Sequence, residues 1–185
     1  SFDLSQTNHH YYTNHTFPHQ NLEVHSVIYY DNYAWKNGLS QYDYQTAFSD
    51  FAEEKVTDRV HGKITSVKTR ILNENPSAPQ YLTTVNYYDD RGRVIQTIAD
   101  NHKGGKDVTS VKYAFDKRAL QFVTRHQRFN AGNVDHYYMT RWVDYDFVGR
   151  VTNVYQEVQQ NGEYAFKDLA TAKASPKVKR VANLT

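Results

Sequence analysis

One short sequence pattern occurs twice in this chain and limits what the chain can fold into. Tyr-Asp, two variable residues and then Gly-Arg-Val stand at 88–94 and again at 145–151. Glycine supplies the positive φ that often closes a short hairpin loop, and an aspartate at the start of such a turn accepts hydrogen bonds from backbone N–H groups just downstream. The pattern predicts two β-hairpins built from one repeated unit, each with its glycine at positive φ. The repeated residues are Tyr88, Asp89, Gly92, Arg93, Tyr145, Asp146, Gly149 and Arg150.

Alternation of apolar and polar residues extends through most of the chain. Sixteen tyrosines and nine phenylalanines against one methionine favour strands, because aromatic residues fit the pleated surface of a sheet. Alternating stretches joined by short polar turns predict an all-β fold, in which antiparallel hairpin repeats form one continuous sheet. The predicted strands are 22–30, 60–72, 82–88 with its returning strand after 94, 108–115, 119–127, 136–145 and 150–158, with turns at 101–107, 129–133 and 161–162.

Two stretches that interrupt this pattern are predicted to be helical. Residues 42–56 place apolar side chains on one stripe, which predicts one short helix that caps an end or an opening of the sheet. That stripe consists of Tyr44, Ala47, Phe48, Phe51 and Ala52. A second short helix is predicted at 166–174, followed by an extended piece at 178–184.

The chain divides into three parts by composition. Residues 1–21 are rich in His, Asn, Tyr and Thr and lack a clean period, so they are predicted to form an irregular N-terminal segment. The sheet occupies 22–158, and 159–185 contains a turn, the short helix and a strand that leads into a further repeat.

Composition excludes several classes of function. The chain has no cysteine, which removes disulfides and thiolate metal sites. Its formal net charge is +2, so bulk electrostatics do not predict nucleic-acid binding. No apolar run approaches the length of a membrane span.

Each group of residues that could suggest a metal, catalytic or phosphate site also fits a structural role. The histidines near the start lack the regular spacing of a zinc site, and the carboxylates near the hairpins suit turns better than a glycosidase pair. These groups are His9, His10, His15, His19 and His25, and Asp89, Asp90, Asp144 and Asp146. Gly104-Gly105-Lys106 lacks the spacing and the following Ser or Thr of a phosphate loop. The sequence thus predicts no catalytic, metal-binding or cofactor-binding residue, and no enzyme.

Two other functions stay open on the residues alone. A row of exposed tyrosines, with Trp35 and Trp142, would suit a cell-surface glycan-binding or adhesin module. A pocket with two carboxylates outside the turns would suit a glycoside hydrolase on a β-scaffold. The basic stretch of Lys173, Lys177, Lys179 and Arg180 is interpreted as a solvated strand edge.

The repeated pattern resembles the YD repeat of the RHS (rearrangement hotspot) protein family. Residues 81–107 are similar to the form found in large secreted RHS-repeat proteins of the Bacteroidetes. A third unit at 113–120 matches loosely, because Ala114 replaces the motif Asp and Lys117 replaces the motif Gly. A fourth unit at 29–33 keeps Tyr-Asp without Gly-Arg. The resemblance covers roughly residues 22–158.

This resemblance implies a secreted or cell-surface scaffold without a catalytic centre of its own. Its sheet is expected to wind into a hollow shell that encloses a C-terminal toxin or effector. The implied partners are the remainder of a longer repeat chain, the enclosed toxin or effector and components of a type IX secretion system. Tyr88 and Tyr145 are expected to pack under neighbouring strands, and Arg93 and Arg150 to pair with carboxylates across the sheet.

Overall fold

The computed structural model describes residues 10–12, 23–46, 56–72, 79–130, 132–160 and 167–183. Among these residues, nine strands form one antiparallel sheet in which spatial order follows chain order. They are β1 (Ser26–Tyr30), β2 (Ile64–Ile71), β3 (Gln80–Tyr88), β4 (Val94–Asp100), β5 (Lys106–Tyr113), β6 (Ala119–Asn130), β7 (Asn133–Tyr145), β8 (Val151–Gln160) and β9 (Lys179–Asn183). The all-β antiparallel fold predicted from the alternation is confirmed.

Short connections explain the up-and-down order from β3 to β8. An antiparallel neighbour needs only a tight turn, whereas a parallel one needs a long crossover. The turn predicted at 129–133 is shorter than expected, because Phe129 pairs with Val134 and Asn130 pairs with Asn133. β9 pairs with β8, so the sheet continues beyond residue 158, where the sequence divided the chain.

One face of the sheet, called here the covered face, carries the core. Its central row crosses five strands by direct pairing, from Tyr29 in β1 to Val108 in β5. The row consists of Tyr29, Ser66, Val85, Ile98 and Val108, and none of these residues is more than 1% exposed. The burial of this row fixes the register, since a slip by one residue would turn every one of these side chains to the other face.

An aromatic layer, defined as Tyr11, Tyr12, Tyr33, Trp35, Tyr42 and Tyr44, packs on this part of the covered face. Trp35 is fully buried and stacks on Tyr29 with ring centroids 5.2 Å apart. Tyr33 stacks on Tyr87 at 4.8 Å. Tyr33, Trp35, Tyr42 and Tyr44 belong to the connection between β1 and β2, which includes the short 3-10 helices Ala34–Lys36 and Ser40–Tyr42. Tyr11 and Tyr12 precede β1.

The helix predicted near 42–56 is not α-helical where the structure describes it. Residues 43–45 are irregular, and 47–55 lie outside the described residues. Sheet side chains occupy the backbone groups that a helix would need: the Gln96 amide bonds both to the N–H and to the carbonyl of Gln45, and the Tyr87 hydroxyl donates to the Tyr42 carbonyl.

The α-helix among the described residues is α1 (Leu169–Ala174), which lies where the sequence predicted a short helix at 166–174. Asp168 caps it by accepting the Thr171 N–H at 2.7 Å, as N-terminal capping requires. The helix covers the β7–β8 part of the covered face, where Trp142 is buried and donates to the Lys167 carbonyl. No helix in the described ranges is long and apolar enough to cross a membrane.

The opposite face, called here the open face, is left half-exposed by the residues that the structure describes. A row of Thr97, Thr109, Thr124 and Met139 crosses β4 to β7 on this face, and none of the four is buried. The hydroxyls of Thr109 and Thr124 lie 3.0 Å apart and share a hydrogen bond. Antiparallel sheets often have one packed face and one face toward solvent, and this sheet follows that division.

Candidate functional site: the repeated hairpin corners

The corner between β3 and β4 is a tight turn that closes on Asp89. The Asp89 N–H donates to the Arg93 carbonyl at 3.0 Å, and the Gly92 N–H donates to the Asp89 carbonyl at 2.9 Å. Gly92 has φ +72°, as predicted, and Gly149 in the equivalent corner has φ +92°. A residue in this left-handed region directly after a turn forms a bulge, which increases the twist of the hairpin.

The Asp89 carboxylate binds its own turn. Its Oδ1 accepts the N–H groups of Arg91 and Arg93 at 3.0 and 2.8 Å, and its Oδ2 accepts Nε of Arg93 at 2.6 Å. The prediction that Arg93 pairs with a carboxylate across the sheet is therefore wrong. The carboxylate four residues earlier is closer, because the turn folds the chain back on itself.

The corner between β7 and β8 has the same geometry. Asp146 accepts the N–H groups of Val148 and Arg150 at 3.0 and 2.9 Å, and Nε of Arg150 at 2.7 Å. Arg150 thus pairs within its turn as well, contrary to the cross-sheet prediction. The hydrogen bonds from the Arg150 backbone and side chain lower the pKa of Asp146. The Arg150 side chain is 78% exposed here, whereas that of Arg93 is 13% exposed.

The loosely matching third unit keeps the geometry of the corner with different residues. The Ala114 N–H donates to the Arg118 carbonyl at 2.7 Å, and Lys117 adopts φ +76° in place of glycine. Asp116, two residues later than the motif Asp, accepts the backbone N–H and Nε of Arg118 at 3.1 and 2.6 Å. The carboxylate stands at a different position of the turn, but it still pairs with the arginine of the same turn.

A corner at the other end of the sheet, between β4 and β5, was not recognised as part of the pattern. Asn101 takes the position of the aspartate: its Oδ1 accepts the N–H groups of Lys103 and Gly105 at 3.0 and 3.1 Å. Gly104 has φ +73°. The signal was present as Asn-x-x-Gly, which has the same spacing as Asp-x-x-Gly. The turn predicted at 101–107 is confirmed, since β4 ends at Asp100 and β5 begins at Lys106.

The unit at 29–33 does not form a hairpin. Asp31 has φ +69°, and its N–H donates to the Lys63 carbonyl at 3.2 Å. Its Oδ1 accepts the Gly62 N–H, so Asp31 fastens the end of β1 to the residues just before β2. The absence of Gly-Arg after Asp31 agrees with the absence of a tight turn there, because β1 and β2 are joined by a long connection.

A ladder of tyrosine hydroxyl groups connects successive corners at one end of the sheet. Tyr88 donates to the Ile64 carbonyl at 2.7 Å, Tyr113 to Val94 at 3.0 Å and Tyr145 to Ala119 at 2.7 Å. Each acceptor is the first residue of the returning strand in the preceding strand pair. The expectation that Tyr88 and Tyr145 pack under neighbouring strands agrees with these contacts. Burial raises the pKa of both tyrosines, so their hydroxyls remain donors.

Arginine stacking strengthens the same connection between corners. The Arg93 guanidinium lies 4.6 Å from the centre of the Tyr113 ring, and that of Arg118 lies 5.0 Å from the centre of the Tyr145 ring. Arg93 also donates to the Ala114 carbonyl at 3.2 Å. Each corner therefore holds the tyrosine of the next corner by a hydrogen bond and a cation–π contact.

The two cavities of the described residues contain few groups that could take part in a reaction. A groove of about 370 Å³ on the open face is lined by Thr109, Phe122, Thr124, Met139, Arg141, Val143 and Val154. A second cavity of about 300 Å³ borders Asp144 and Asp146, but these carboxylates bind Lys173 and Arg150. The absence of catalytic and cofactor residues remains a prediction.

The remaining candidate groups are placed in structural contacts where they are described. His10 packs edge-on against Tyr81, His25 lies 3.8 Å from Glu23, and His9, His15 and His19 lie outside the described residues. No group of three or more metal-ligating side chains occurs among the residues described. Trp35 and Trp142 are buried, so neither offers a face to a sugar.

Comparison with known protein families, with curated proteins and with solved structures found no match for this chain.

Removing one hydroxyl of the ladder should weaken the connection between two corners. Tyr113→Phe deletes the donor to Val94 and is expected to lower the free energy of unfolding by about 0.5–1.5 kcal/mol, measured by urea denaturation. Tyr30→Phe is the matched control, because Tyr30 ends β1 at the same end of the sheet and is 47% exposed. An equal effect of both substitutions would contradict the ladder.

Substitutions of the residue with positive φ should change the free energy of unfolding in opposite directions in two corners. Gly149→Ala is expected to cost about 1 kcal/mol from backbone strain, since an added Cβ has room 3.7 Å from Arg118. Lys117→Gly should stabilise by roughly 0.5–1 kcal/mol, because relief of the strain exceeds the added chain entropy. Thermal and urea unfolding would check both. A destabilised Lys117→Gly variant would show that the lysine side chain matters more than its φ.

Replacing the motif aspartate should lower the stability most in the corner whose arginine is buried. Asp89→Ala leaves the Arg93 guanidinium without its carboxylate and should cost about 3–5 kcal/mol. Asp146→Ala makes the same change next to the exposed Arg150 and should cost less. Asp89→Ala combined with Arg93→Leu should recover part of the loss. Equal costs at the two corners would refute the role given to burial.

Acid should weaken the β7–β8 corner through Asp146. The folded-state pKa of Asp146 lies below its ordinary value of 3.8, so its contribution is present above that value. The contribution is lost as pH falls through the lowered pKa. Asp146→Asn should therefore show a smaller loss of stability on acidification than the parent chain. If the free energy of unfolding fell by the same amount in both proteins as the pH is lowered, this role of Asp146 would be contradicted.

Proposed function

We propose that this chain is a structural segment of a secreted RHS/YD-repeat protein of the Bacteroidetes type. In this proposal its sheet forms part of a β-shell that encloses or presents a C-terminal toxin or effector. The shell acts at the cell surface or outside the cell and reaches that place through type IX secretion. Its partners are the rest of the repeat chain, the cargo and the secretion components.

The observation that carries the proposal is the dependence of each corner on its neighbour. Tyr113 satisfies the carbonyl of Val94 in the preceding hairpin, and Tyr145 satisfies that of Ala119. A hairpin with this design is completed only by the next copy, which is how repeat architectures gain stability through neighbour interfaces. The function supported by such a design is extension of one sheet by added units.

The two faces of the sheet support separate roles. The aromatic layer and α1 cover one face, and the open face carries threonines, valines and Met139. In the proposed shell the open face lines the enclosed space. The row of Thr97, Thr109, Thr124 and Met139 would contact a cargo without forming an ion pair with it, which suits a container that must later release the cargo.

Rigidity is the mechanical contribution of this segment. In the two motif corners a carboxylate satisfies two backbone N–H groups, and in the buried Asp89 corner it also neutralises an arginine that is 13% exposed. The corners therefore carry few unsatisfied groups that would favour local opening. A wall made from them would keep its shape around a cargo.

The intact protein that contains this segment provides the test. Electron microscopy is expected to show a hollow particle, and limited proteolysis should leave a C-terminal cargo protected until the shell is opened. A shell with Tyr88, Tyr113 and Tyr145 all replaced by phenylalanine should lose this protection at lower denaturant, whereas Tyr30→Phe should not. A solid particle, or a C-terminal part cut as fast in the parent as in the triple variant, would reject the proposal.

A further inference from the structure

The groove of about 370 Å³ on the open face combines apolar walls with a cation. Phe122, Met139, Val143 and Val154 form most of the wall, and Arg141 is the charged side chain among the described residues that line it. None of these five side chains is buried, so a molecule in solvent can reach each of them. Volumes of roughly 300–1,000 Å³ and mainly apolar walls with few polar groups are typical of small-molecule sites.

The register of the sheet brings these side chains together. Phe122 in β6 pairs with Arg141 in β7, and Val143 in β7 pairs with Val154 in β8. Met139 and Val143 lie two residues before and after Arg141, and therefore on the same face, because side chains alternate along a strand. Arg141 thus stands in the middle of an apolar surface that three strands provide.

The Arg141 guanidinium is held at one end. Its Nε donates to Oε1 of Gln156 at 2.8 Å, and Gln156 is its direct neighbour in β8. This hydrogen bond restricts the orientation of the guanidinium and leaves the N–H groups of Nη1 and Nη2 to donate elsewhere. Two adjacent N–H donors match the two oxygens of a carboxylate.

Charge around the groove favours an anion. In the part of the chain that the structure describes, Arg141 has no carboxylate partner, whereas Arg128 on the same face binds Asp135 at 3.0 Å. Lys179 in β9 pairs with Gln156, so a second basic residue stands in the same cross-strand row as Arg141. An anion placed at Arg141 would therefore meet positive charge that no described carboxylate neutralises.

We propose that this groove binds a small carboxylate with an aliphatic chain. The carboxylate accepts hydrogen bonds from the Nη atoms of Arg141, and the chain lies along Met139, Val143 and Val154. Contact with these walls removes apolar surface of the ligand from water, and the flexible methionine adapts to the shape of the chain. Such binding does not depend on the proposed role in a shell.

The size of the groove indicates a small ligand rather than a protein partner. A stable protein interface uses about 20–30 residues on each side, whereas the groove is lined by seven described residues. A short alkyl chain with one charged end needs only a contact of this size.

Binding can be observed at the wall of the groove itself. The chain contains one methionine, so methyl-labelled methionine gives a single NMR signal, that of Met139. The purified chain is titrated with octanoate and, separately, with octanamide, which has the same alkyl chain but no charge. Octanoate is expected to shift the signal in a saturable manner and to bind roughly tenfold more tightly than octanamide. No saturable shift with octanoate, or equal affinity for the two compounds, overturns the proposal.

Two variants with the same change in net charge test the role of Arg141. Arg141→Gln should reduce the affinity for octanoate to that for octanamide and leave the affinity for octanamide unchanged. Arg128→Gln removes an arginine on the same face that does not line the groove, and it should keep the affinity for octanoate. Arg141 is exposed and the Arg128 side chain is 39% exposed, so neither change disturbs the core. An equal loss in both variants would assign the effect to net charge and refute the site.

Discussion

The hydrogen bond from a tyrosine hydroxyl to the first carbonyl of the preceding returning strand joins the corners of this sheet. At each of these places the strand pairing shifts by one residue, at Tyr88, Tyr113 and Tyr145. A bulge leaves backbone N–H and C=O groups outside the regular hydrogen bonding between strands, and such groups need another partner. The tyrosine of the next unit supplies that partner. The twist introduced at a corner is therefore stabilised further when another unit is added.

Charge within the turns and aromatic packing between them are linked through arginine. Arg93 is neutralised by Asp89 and at the same time lies against the ring of Tyr113. Arg118 repeats this arrangement with Asp116 and Tyr145. A planar guanidinium can do both, because its edge donates hydrogen bonds while its face stacks on an aromatic ring. A lysine at these positions would lack the planar face and the several N–H groups of the guanidinium.

Sequence reasoning located the two corners that contain both Asp and Gly, because the chemistry of a tight turn is local. It assigned the wrong carboxylate to Arg93 and Arg150, since it treated the arginines as strand residues rather than as the end of the turn. It left Asn101 outside the pattern, although an asparagine oxygen accepts the same two N–H groups. At Lys117 the neighbouring strands impose a left-handed conformation on a residue that rarely adopts it.

The sequence by itself determined the all-β class, the two motif corners and the positive φ of their glycines, because alternation and turn chemistry act over a few residues. Tertiary structure decided which groups far apart in the chain meet: Tyr42 with Asp100, Gln45 with Gln96, and Lys68 with Trp35. It also decided against an α-helix at 43–45, because the sheet binds the backbone of Gln45. Such contacts depend on which face of which strand is buried, and that is fixed only when all strands are in register.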